Sequence, residues 1–214
     1  MLEHDIPDRN LFMMCKKPNP AAFTGAPAGY HIRPIRPKEM DFWYSVHFDC
    51  EEGDITPHIA YMKDYFRRVY QPRETEFFER CLVICGADDV PLGTCFAWRV
   101  YDAVWTVHWY KVSKCHEGKG LGRALLSAVL NTVPMDEYPV YLHTQPSSFR
   151  AIHLYTEFGF SLLDDPVVGH RENHLDECLP YLEYFMGKHY PRLTFARSDG
   201  TLHRAALTVE DNRF

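Results

Sequence analysis

Residues 107–130 have the sequence VHWYKVSKCHEGKGLGRALLSAVL, and this stretch decides the fold. Its first part continues a run of β-branched and aromatic residues that begins at Val104 and predicts a strand over 104–113. A short loop over 114–122 follows and carries three glycines. The apolar residues after it fall at helical spacing and predict an amphipathic helix: Leu121, Ala124, Leu125, Ala128 and Val129.

A strand, a glycine-rich turn and a helix in this order bring several backbone N–H groups together at a helix N-terminus. These donors have no partner inside the helix, and the helix dipole adds partial positive charge. Such a place binds phosphate groups. Glycine helps because a Cβ would keep the ligand oxygens away from the backbone. Lys119 and Arg123 add positive charge nearby.

Two common phosphate motifs do not fit this loop. The P-loop spacing G-x-x-x-x-G-K-[ST] is absent, and the dinucleotide fingerprint G-x-G-x-x-G is replaced by G-x-G-x-G followed by Ala124. The run EGKGLG at 117–122 instead resembles the pyrophosphate loop of the GCN5-related N-acetyltransferases (GNAT family), [Q/R]-x-x-G-x-[G/A]. A second run, SFRAIHLYTEFGF at 148–160, resembles the second acyl-CoA segment of that family, N-x-x-A-x-x-[LF]-Y-x-x-x-G-F.

The resemblance covers residues 90–163 and implies an α/β fold. In the GNAT fold a mixed, mostly antiparallel sheet of six or seven strands is splayed between its fourth and fifth strands and has helices on both faces. We expect this domain at 29–197, after an N-terminal extension at 1–28 and before a C-terminal tail at 198–214. The extension is expected to be irregular, with one short strand at 11–15.

Individual elements are predicted outside the two motifs. Thr56 is predicted to cap a helix that ends before Pro72, and the apolar spacing predicts a further helix over 175–186. The final strand of the sheet is expected at 192–196.

The resemblance implies acetyl-CoA as the acyl donor. The backbone of Val112 would pair with the pantetheine arm, and Ser148 would contact the same arm or, alternatively, cap the following helix. Glu117 departs from the family pattern, because a carboxylate next to a pyrophosphate costs about 1 kcal/mol at 4 Å in water. It is therefore expected to point outward or to pair with Lys114 or Lys119. The residues expected to hold the pyrophosphate are Gly118, Lys119, Gly120, Leu121, Gly122 and Arg123.

Tyr155 matches the family tyrosine that protonates the departing CoA thiolate, and a phenol with a reference pKa of about 10 suits this role. The alternative is a core aromatic beside Ile152 and Phe158. No side-chain nucleophile is required, since the family's usual route is direct attack in a ternary complex. Cys115, a possible acyl carrier, has no triad around it.

Attack on the thioester needs a neutral amine, so a base must remove a proton. Histidine titrates in the right range, and His108 is the candidate base. His143 and Glu52 are alternatives, and each of these residues could instead be structural.

Composition and short motifs limit the remaining functional classes. The chain has 214 residues, a formal net charge of −6 and a pI of about 6.0, which argues against nucleic-acid binding. Seven cysteines without a regular framework indicate reduced thiols and a cytoplasmic location. The first ten residues lack a signal sequence, and no apolar run is long enough for a membrane span. The two histidines at 170 and 174 lack the H-E-x-x-H pattern, so no metal site is predicted.

The sequence therefore predicts an N-acetyltransferase that moves an acetyl group from acetyl-CoA to a primary amine of a small molecule or peptide. One alternative is a non-catalytic acyl-CoA-binding sensor or partner module, and another is transfer of a longer acyl chain or transfer to a hydroxyl. The acids of 49–54 either face an amine or form an ordinary solvated loop. A homodimer is compatible with the family, whose sheets often associate.

Overall fold

The computed structural model describes residues 1–210 and 214. The chain divides into two compact units, and the hairpin that precedes the glycine-rich loop contributes residues to both. The first unit contains Met1–Ala22, Arg99–Thr106 and Val133–Phe214, and the second contains Phe23–Trp98 and Val107–Thr132.

The described residues form ten strands and seven α-helices. The strands are β1 (Leu11–Cys15), β2 (His31–Pro34), β3 (Leu82–Cys85), β4 (Pro91–Val100), β5 (Val104–Val112), β6 (Val140–Thr144), β7 (Phe160–Leu163), β8 (Val167–Val168), β9 (Arg171–Glu172) and β10 (Phe195–Ala196). The helices are α1 (Met40–Ser45), α2 (Thr56–Tyr65), α3 (Glu74–Arg80), α4 (Leu121–Leu130), α5 (Phe149–Glu157), α6 (Leu175–Met186) and α7 (Thr201–Ala206).

The main sheet is mixed, because β10 pairs with β7 in parallel and several other pairs are antiparallel. It contains eight of the described strands, while β8 and β9 form a separate two-stranded ribbon. The predicted mixed α/β architecture is confirmed, with one strand more than the predicted maximum.

In the first unit the strand order is β10-β7-β1-β6. Strand β1 is antiparallel to both neighbours, and its central Met13 lies opposite Leu142 and Leu162. Every residue of β1 is at most 1% exposed. A continuous apolar run is what a strand covered on both faces requires. The expected strand at 11–15 is therefore present, but it belongs to the interior of a sheet and not to an irregular extension. The boundaries predicted at 28 and 197 stay predictions.

In the second unit the strand order is β5-β4-β3-β2. Helix α4 begins where predicted and buries four of the five residues of the predicted apolar face, while Ala128 is half-buried. Much of the core is aromatic, and its largest fully buried side chains are Trp43, Tyr70, Phe77, Phe96 and Trp98.

The single helix predicted up to Pro72 is three consecutive pieces. Helix α2 continues as a π-helical segment, Phe66–Tyr70, and then as a 3-10 segment, Gln71–Arg73. Thr56 is the first helical residue and not the N-cap, which is Ile55, so that prediction was wrong. The Asp54 carboxylate accepts the Thr56 N–H at 2.9 Å and provides the capping bond instead.

Other elements agree with the sequence to different degrees. Helix α6 has the predicted bounds, whereas the final strand is reduced to β10 because Gly187–Arg192 is a 3-10 helix. Helices α3 and α7 and the β8–β9 ribbon were not predicted. All seven cysteines are free thiols. Within residues 1–210 and 214, no helix is both long enough and apolar enough to cross a membrane.

Truncation of β1 tests its structural role. We expect Met13→Ala to lower the free energy of unfolding by about 2–5 kcal/mol, because it removes a fully buried side chain and leaves a cavity. Leu2→Ala is the control, since Leu2 is 61% exposed, and should change it by less than about 0.5 kcal/mol. Urea titration measures both, and equal effects of the two substitutions would contradict this assignment of β1.

Candidate acyl-CoA site

The N-terminus of α4 offers consecutive backbone donors. Gly120 is the N-cap and has a left-handed backbone with φ +78°. Within this turn the Ala124 N–H donates to the Gly120 carbonyl at 3.1 Å. Among the described residues, the N–H groups of Gly120, Leu121 and Gly122 have no hydrogen-bond acceptor. They are the donors that a helix start leaves for an anion.

The position of Gly122 has no room for a side chain. A Cβ at this position would overlap the Tyr110 hydroxyl and would lie 3.2 Å from Tyr110 Cζ. The Tyr110 side chain belongs to β5, and burial raises its pKa, so the phenol stays neutral. Tyr110 therefore fills the space next to the bare backbone of the loop.

The acidic residue of the loop is paired. Glu117 Oε2 lies 3.3 Å from Lys114 Nζ, one of the two partners expected for it. Both side chains are about half exposed, so the pair adds little to stability. It does neutralise a carboxylate beside a loop whose other charged residues, Lys119 and Arg123, are cations.

Asp49 connects the segment after α1 to the end of β5. Its Oδ1 lies 2.9 Å from Lys111 Nζ, and its Oδ2 accepts the backbone N–H of Lys114 at 2.6 Å. Burial raises the pKa of Asp49, but these bonds lower it more, so its pKa is below its ordinary value. Asp49 was one of the acids expected near an amine or in a solvated loop, and it instead stabilises the start of the glycine loop. Residues 51–54 are exposed.

Val112 ends β5 immediately before the loop and is 8% exposed. The opposing strand β4 approaches it closely at Gly93. A Cβ on Gly93 would lie 2.8 Å from the Lys111 carbonyl oxygen and 3.2 Å from Val112 Cα. The glycine therefore permits the tight pairing that fixes the backbone of Val112.

Trp109 has an unusual backbone for a bulky residue, with φ +49°. A left-handed conformation costs a non-glycine residue about 1–2 kcal/mol, so the surroundings must hold it. Its Nε1–H donates to Tyr70 Oη at 2.8 Å, and its ring lies 5.0 Å from that of His47 and 5.4 Å from that of Tyr65.

The candidate base His108 is 7% exposed and lies on β5 next to Trp109. Its Nδ1 lies 2.6 Å from Tyr70 Oη, at the last position of the π-helical segment. Tyr70 is fully buried, which raises its pKa well above the usual value. The sequence analysis named His108 as a candidate but not its neighbours Tyr70 and Trp109, because no local pattern links residues 38 positions apart.

The alternative base His143 has both ring nitrogens engaged. Its Nε2 lies 2.9 Å from Asn10 Oδ1, and its Nδ1 lies 3.2 Å from Arg171 Nη1. Burial, and then the Arg171 charge, lower its pKa to about 3. His143 is therefore a neutral structural residue. Glu52, the other alternative, lies in an exposed loop.

Ser148 and Tyr155 lie in the first unit, on or next to α5. Ser148 is the N-cap residue, but its hydroxyl makes no capping hydrogen bond. Tyr155 is 6% exposed, and its ring lies 5.9 Å from that of Phe160. Ser148 directly precedes the first residue of α5, and Tyr155 lies seven positions later in the same helix.

One cluster has a possible set of metal ligands. His31, Cys85 and Asp89 each offer a ligand atom within 4.8 Å of the others. However, Asp89 already binds two guanidinium groups, with Arg33 Nε at 2.7 Å and Arg36 as the second partner. Two fixed positive charges oppose a cation there. The absence of a metal site at 170–174 stays a prediction.

The left-handed backbone at the start of α4 can be tested by stability. We expect Gly120→Ala to lower the free energy of unfolding by about 1–2 kcal/mol, because alanine pays the left-handed cost. Gly25→Ala is the matched control: no atom lies within 4 Å of an added Cβ and φ is ordinary. It should leave stability unchanged or raise it by up to about 1 kcal/mol. Urea unfolding that shows no difference would rule out the strained N-cap.

The neutral state of His143 predicts acid sensitivity. Its pKa is about 3 in the folded chain and about 6.5 in the unfolded chain, so only the unfolded state gains a proton between these values. The contribution of neutral His143 to the free energy of unfolding is complete above about pH 6.5 and is lost as the pH falls towards 3. From pH 7 to 5 this histidine should remove about 1–2 kcal/mol from the free energy of unfolding. His143→Gln should lose less over that range than wild type, and His4→Gln, at an exposed site, should follow wild type.

Comparison with solved structures supports the fold. A GCN5-related N-acetyltransferase from Sphaerobacter thermophilus has a TM-score of 0.52 and 18% identity, over 73% of this chain and 49% of that one. A functionally unknown conserved protein from Staphylococcus epidermidis has a TM-score of 0.51 and 14% identity, over 72% and 57%. The chain thus spans about half the length of these structures, and identities this low show the fold alone. A search of curated proteins finds no match.

Sequence-family comparison identifies the domain. The model of the Acetyltransferase (GNAT) family matches residues 40–160, which include the glycine loop, α4, β6, α5 and both segments that resemble acyl-CoA motifs. This match covers more than half of the chain. The chain therefore belongs to the GNAT family of acetyltransferases.

Proposed function

We propose that this protein is an acetyl-CoA-dependent N-acetyltransferase that acts on a primary amine of a small molecule or peptide. The observation that carries the proposal is the row of backbone N–H donors at Gly120, Leu121 and Gly122. The Tyr110 hydroxyl occupies the place where a Cβ of residue 122 would lie, so only glycine fits there. Bare N–H groups at a helix N-terminus suit a pyrophosphate. The free thiols of the chain are compatible with a reducing cytoplasm.

In this proposal the cofactor has three points of attachment. The loop from Gly118 to Arg123 holds the pyrophosphate, with Lys119 and Arg123 as cationic neighbours. The backbone of Val112 pairs with the pantetheine arm. The Ser148 hydroxyl, which does not cap α5, contacts the same arm.

The proposed reaction is direct transfer. The amine nitrogen attacks the thioester carbonyl carbon, a C–N bond forms and the C–S bond breaks. A backbone N–H near Val112 stabilises the oxyanion. His108 takes the proton of the attacking amine, and the Tyr155 hydroxyl protonates the leaving thiolate. Cys115, whose Sγ lies 3.0 Å from His116 Nδ1, is exposed and is not needed for this route.

Binding of acetyl-CoA is the primary test. Calorimetry should show saturable binding to wild type that is lost in Gly120→Glu, because a carboxylate would enter the anion site. Gly25→Glu is the control for the same change at an open position. A panel of primary amines with mass detection then identifies the acetylated product. No binding of acetyl-CoA would contradict the proposal, and binding without any product would favour an acyl-CoA sensor.

Tyr155→Phe tests the proposed acid. Turnover should fall by about 10²-fold or more while the Kd for acetyl-CoA stays within about twofold, because only the proton donor is removed. Tyr184→Phe, at a 58% exposed tyrosine of the same unit, should leave turnover unchanged. Steady-state kinetics and calorimetry measure both quantities. Unchanged turnover in Tyr155→Phe would assign Tyr155 to the core instead.

A further inference from the structure

The side chains at the end of β5 alternate between the two faces of the sheet from Trp109 onward. Tyr110 and Val112 point towards the start of α4, because both lie next to the position that a Cβ of Gly122 would occupy. Trp109 points to the other face, where its ring lies 5.0 Å from that of His47. This part of β5 therefore follows the two-residue period of a strand.

The period is interrupted between His108 and Trp109. Regular alternation would place His108 on the same face as Tyr110, yet its Nδ1 lies 2.6 Å from Tyr70 Oη. The same hydroxyl oxygen accepts the Trp109 Nε1–H at 2.8 Å. Two consecutive side chains thus lie on one face of β5. The left-handed backbone of Trp109, with φ +49°, is the break in the strand that allows this.

The break places an indole beside the candidate base. Because both rings contact the Tyr70 hydroxyl, His108 Nδ1 and Trp109 Nε1 are at most two hydrogen-bond lengths apart. Irregularities of this kind re-aim side chains and are often found next to active sites, and the strained backbone is costly. A molecule whose amino group reaches the His108 ring therefore has its adjoining atoms within reach of the Trp109 indole.

The surroundings of Trp109 are aromatic. Its ring lies 5.4 Å from that of Tyr65, in addition to the contact with His47. Burial, and then the charge of Lys111, lower the pKa of His47 to about 3, so this imidazole is neutral at physiological pH. The Lys111 ammonium is itself paired with Asp49 at 2.9 Å. A bound molecule thus meets aromatic surface and an ion pair that is already neutralised.

We propose that Trp109 determines acceptor specificity and that the acceptor is an arylalkylamine, a primary amine carried on a flat apolar group. The flat group packs on the half-buried indole while the amino group meets His108. The inference rests on the proposed function, in which His108 is the base. An additional carboxylate or ammonium on the acceptor gains little, since Lys111 and Asp49 already neutralise each other.

The first test compares two amines of equal charge and similar size. 2-Phenylethylamine and 2-cyclohexylethylamine share one carbon skeleton, but only the first has a flat ring. With wild type and acetyl-CoA, kcat/KM should be at least about threefold higher for 2-phenylethylamine, as expected for a contact between aromatic rings. Trp109→Leu should bring this ratio close to one, because it keeps an apolar side chain and removes the flat ring. Phe78→Leu is the matched control at a half-buried ring of α3 and should leave the ratio unchanged.

A binding measurement tests the inference without turnover and without a stable Trp109→Leu variant. The chain has four tryptophans, so 15N-labelled full-length protein gives four indole N–H signals. Trp109→Phe, which keeps an aromatic ring, identifies the signal of Trp109. Addition of 2-phenylethylamine in the presence of CoA should shift this signal saturably, and 2-cyclohexylethylamine should require at least about threefold more amine.

The outcomes separate this inference from the proposed function. Acetyl transfer without a preference for 2-phenylethylamine, or with a preference that Trp109→Leu leaves intact, would overturn the role of Trp109 alone. An indole signal that does not respond to either amine would do the same, even in a protein that acetylates other amines. A saturable shift with 2-phenylethylamine in a protein that forms no acetylated product would instead overturn the transferase proposal and leave Trp109 as a binding residue.

Discussion

The candidate acyl-CoA site depends on backbone N–H groups at the start of α4 that no side chain covers. Its N–H groups are usable only if no side chain stands over them, and at Gly122 the Tyr110 hydroxyl already takes the place of a Cβ. Several nearby features maintain this arrangement. Gly93 permits close pairing at Val112, and the Asp49 carboxylate holds the first residue of the following turn. The contacts of Gly93 and Asp49 thus hold the backbone at the end of β5, which leads into the loop.

The charges around the loop are arranged so that the acids are paired, although the chain as a whole is acidic. The net charge is −6, yet each acid next to the loop is neutralised locally. Asp49 pairs with Lys111 and Glu117 pairs with Lys114. The helix dipole and the remaining cations then determine the local potential. The net charge does not predict this local potential, because salt at physiological concentration screens exposed charges that are more than about 8 Å away.

Sequence reasoning succeeded where the signal is local. Glycine spacing and apolar periodicity located the loop and α4, because both depend on residues a few positions apart. It failed where partners are distant in the chain. Nothing near Tyr70 indicates His108, and the apolar run of β1 does not show which strands it joins. The cap at Thr56 was misplaced because Ser, Thr and Asp compete for the same role, and Asp54 makes the bond. The proposed roles of Tyr155 and Ser148 depend on a bound cofactor, which sequence patterns do not position.

The location of β1 has a consequence for synthesis on the ribosome. Residues 11–15 are synthesised before their partners, because β6 and β7 lie more than 120 positions later in the chain. At about 5–20 residues per second, this apolar segment waits roughly 6–25 s for a strand to pair with. During that interval it is an unpaired, uncharged segment of the kind that aggregates or recruits chaperones. The burial that stabilises the finished sheet is therefore a hazard for the nascent chain.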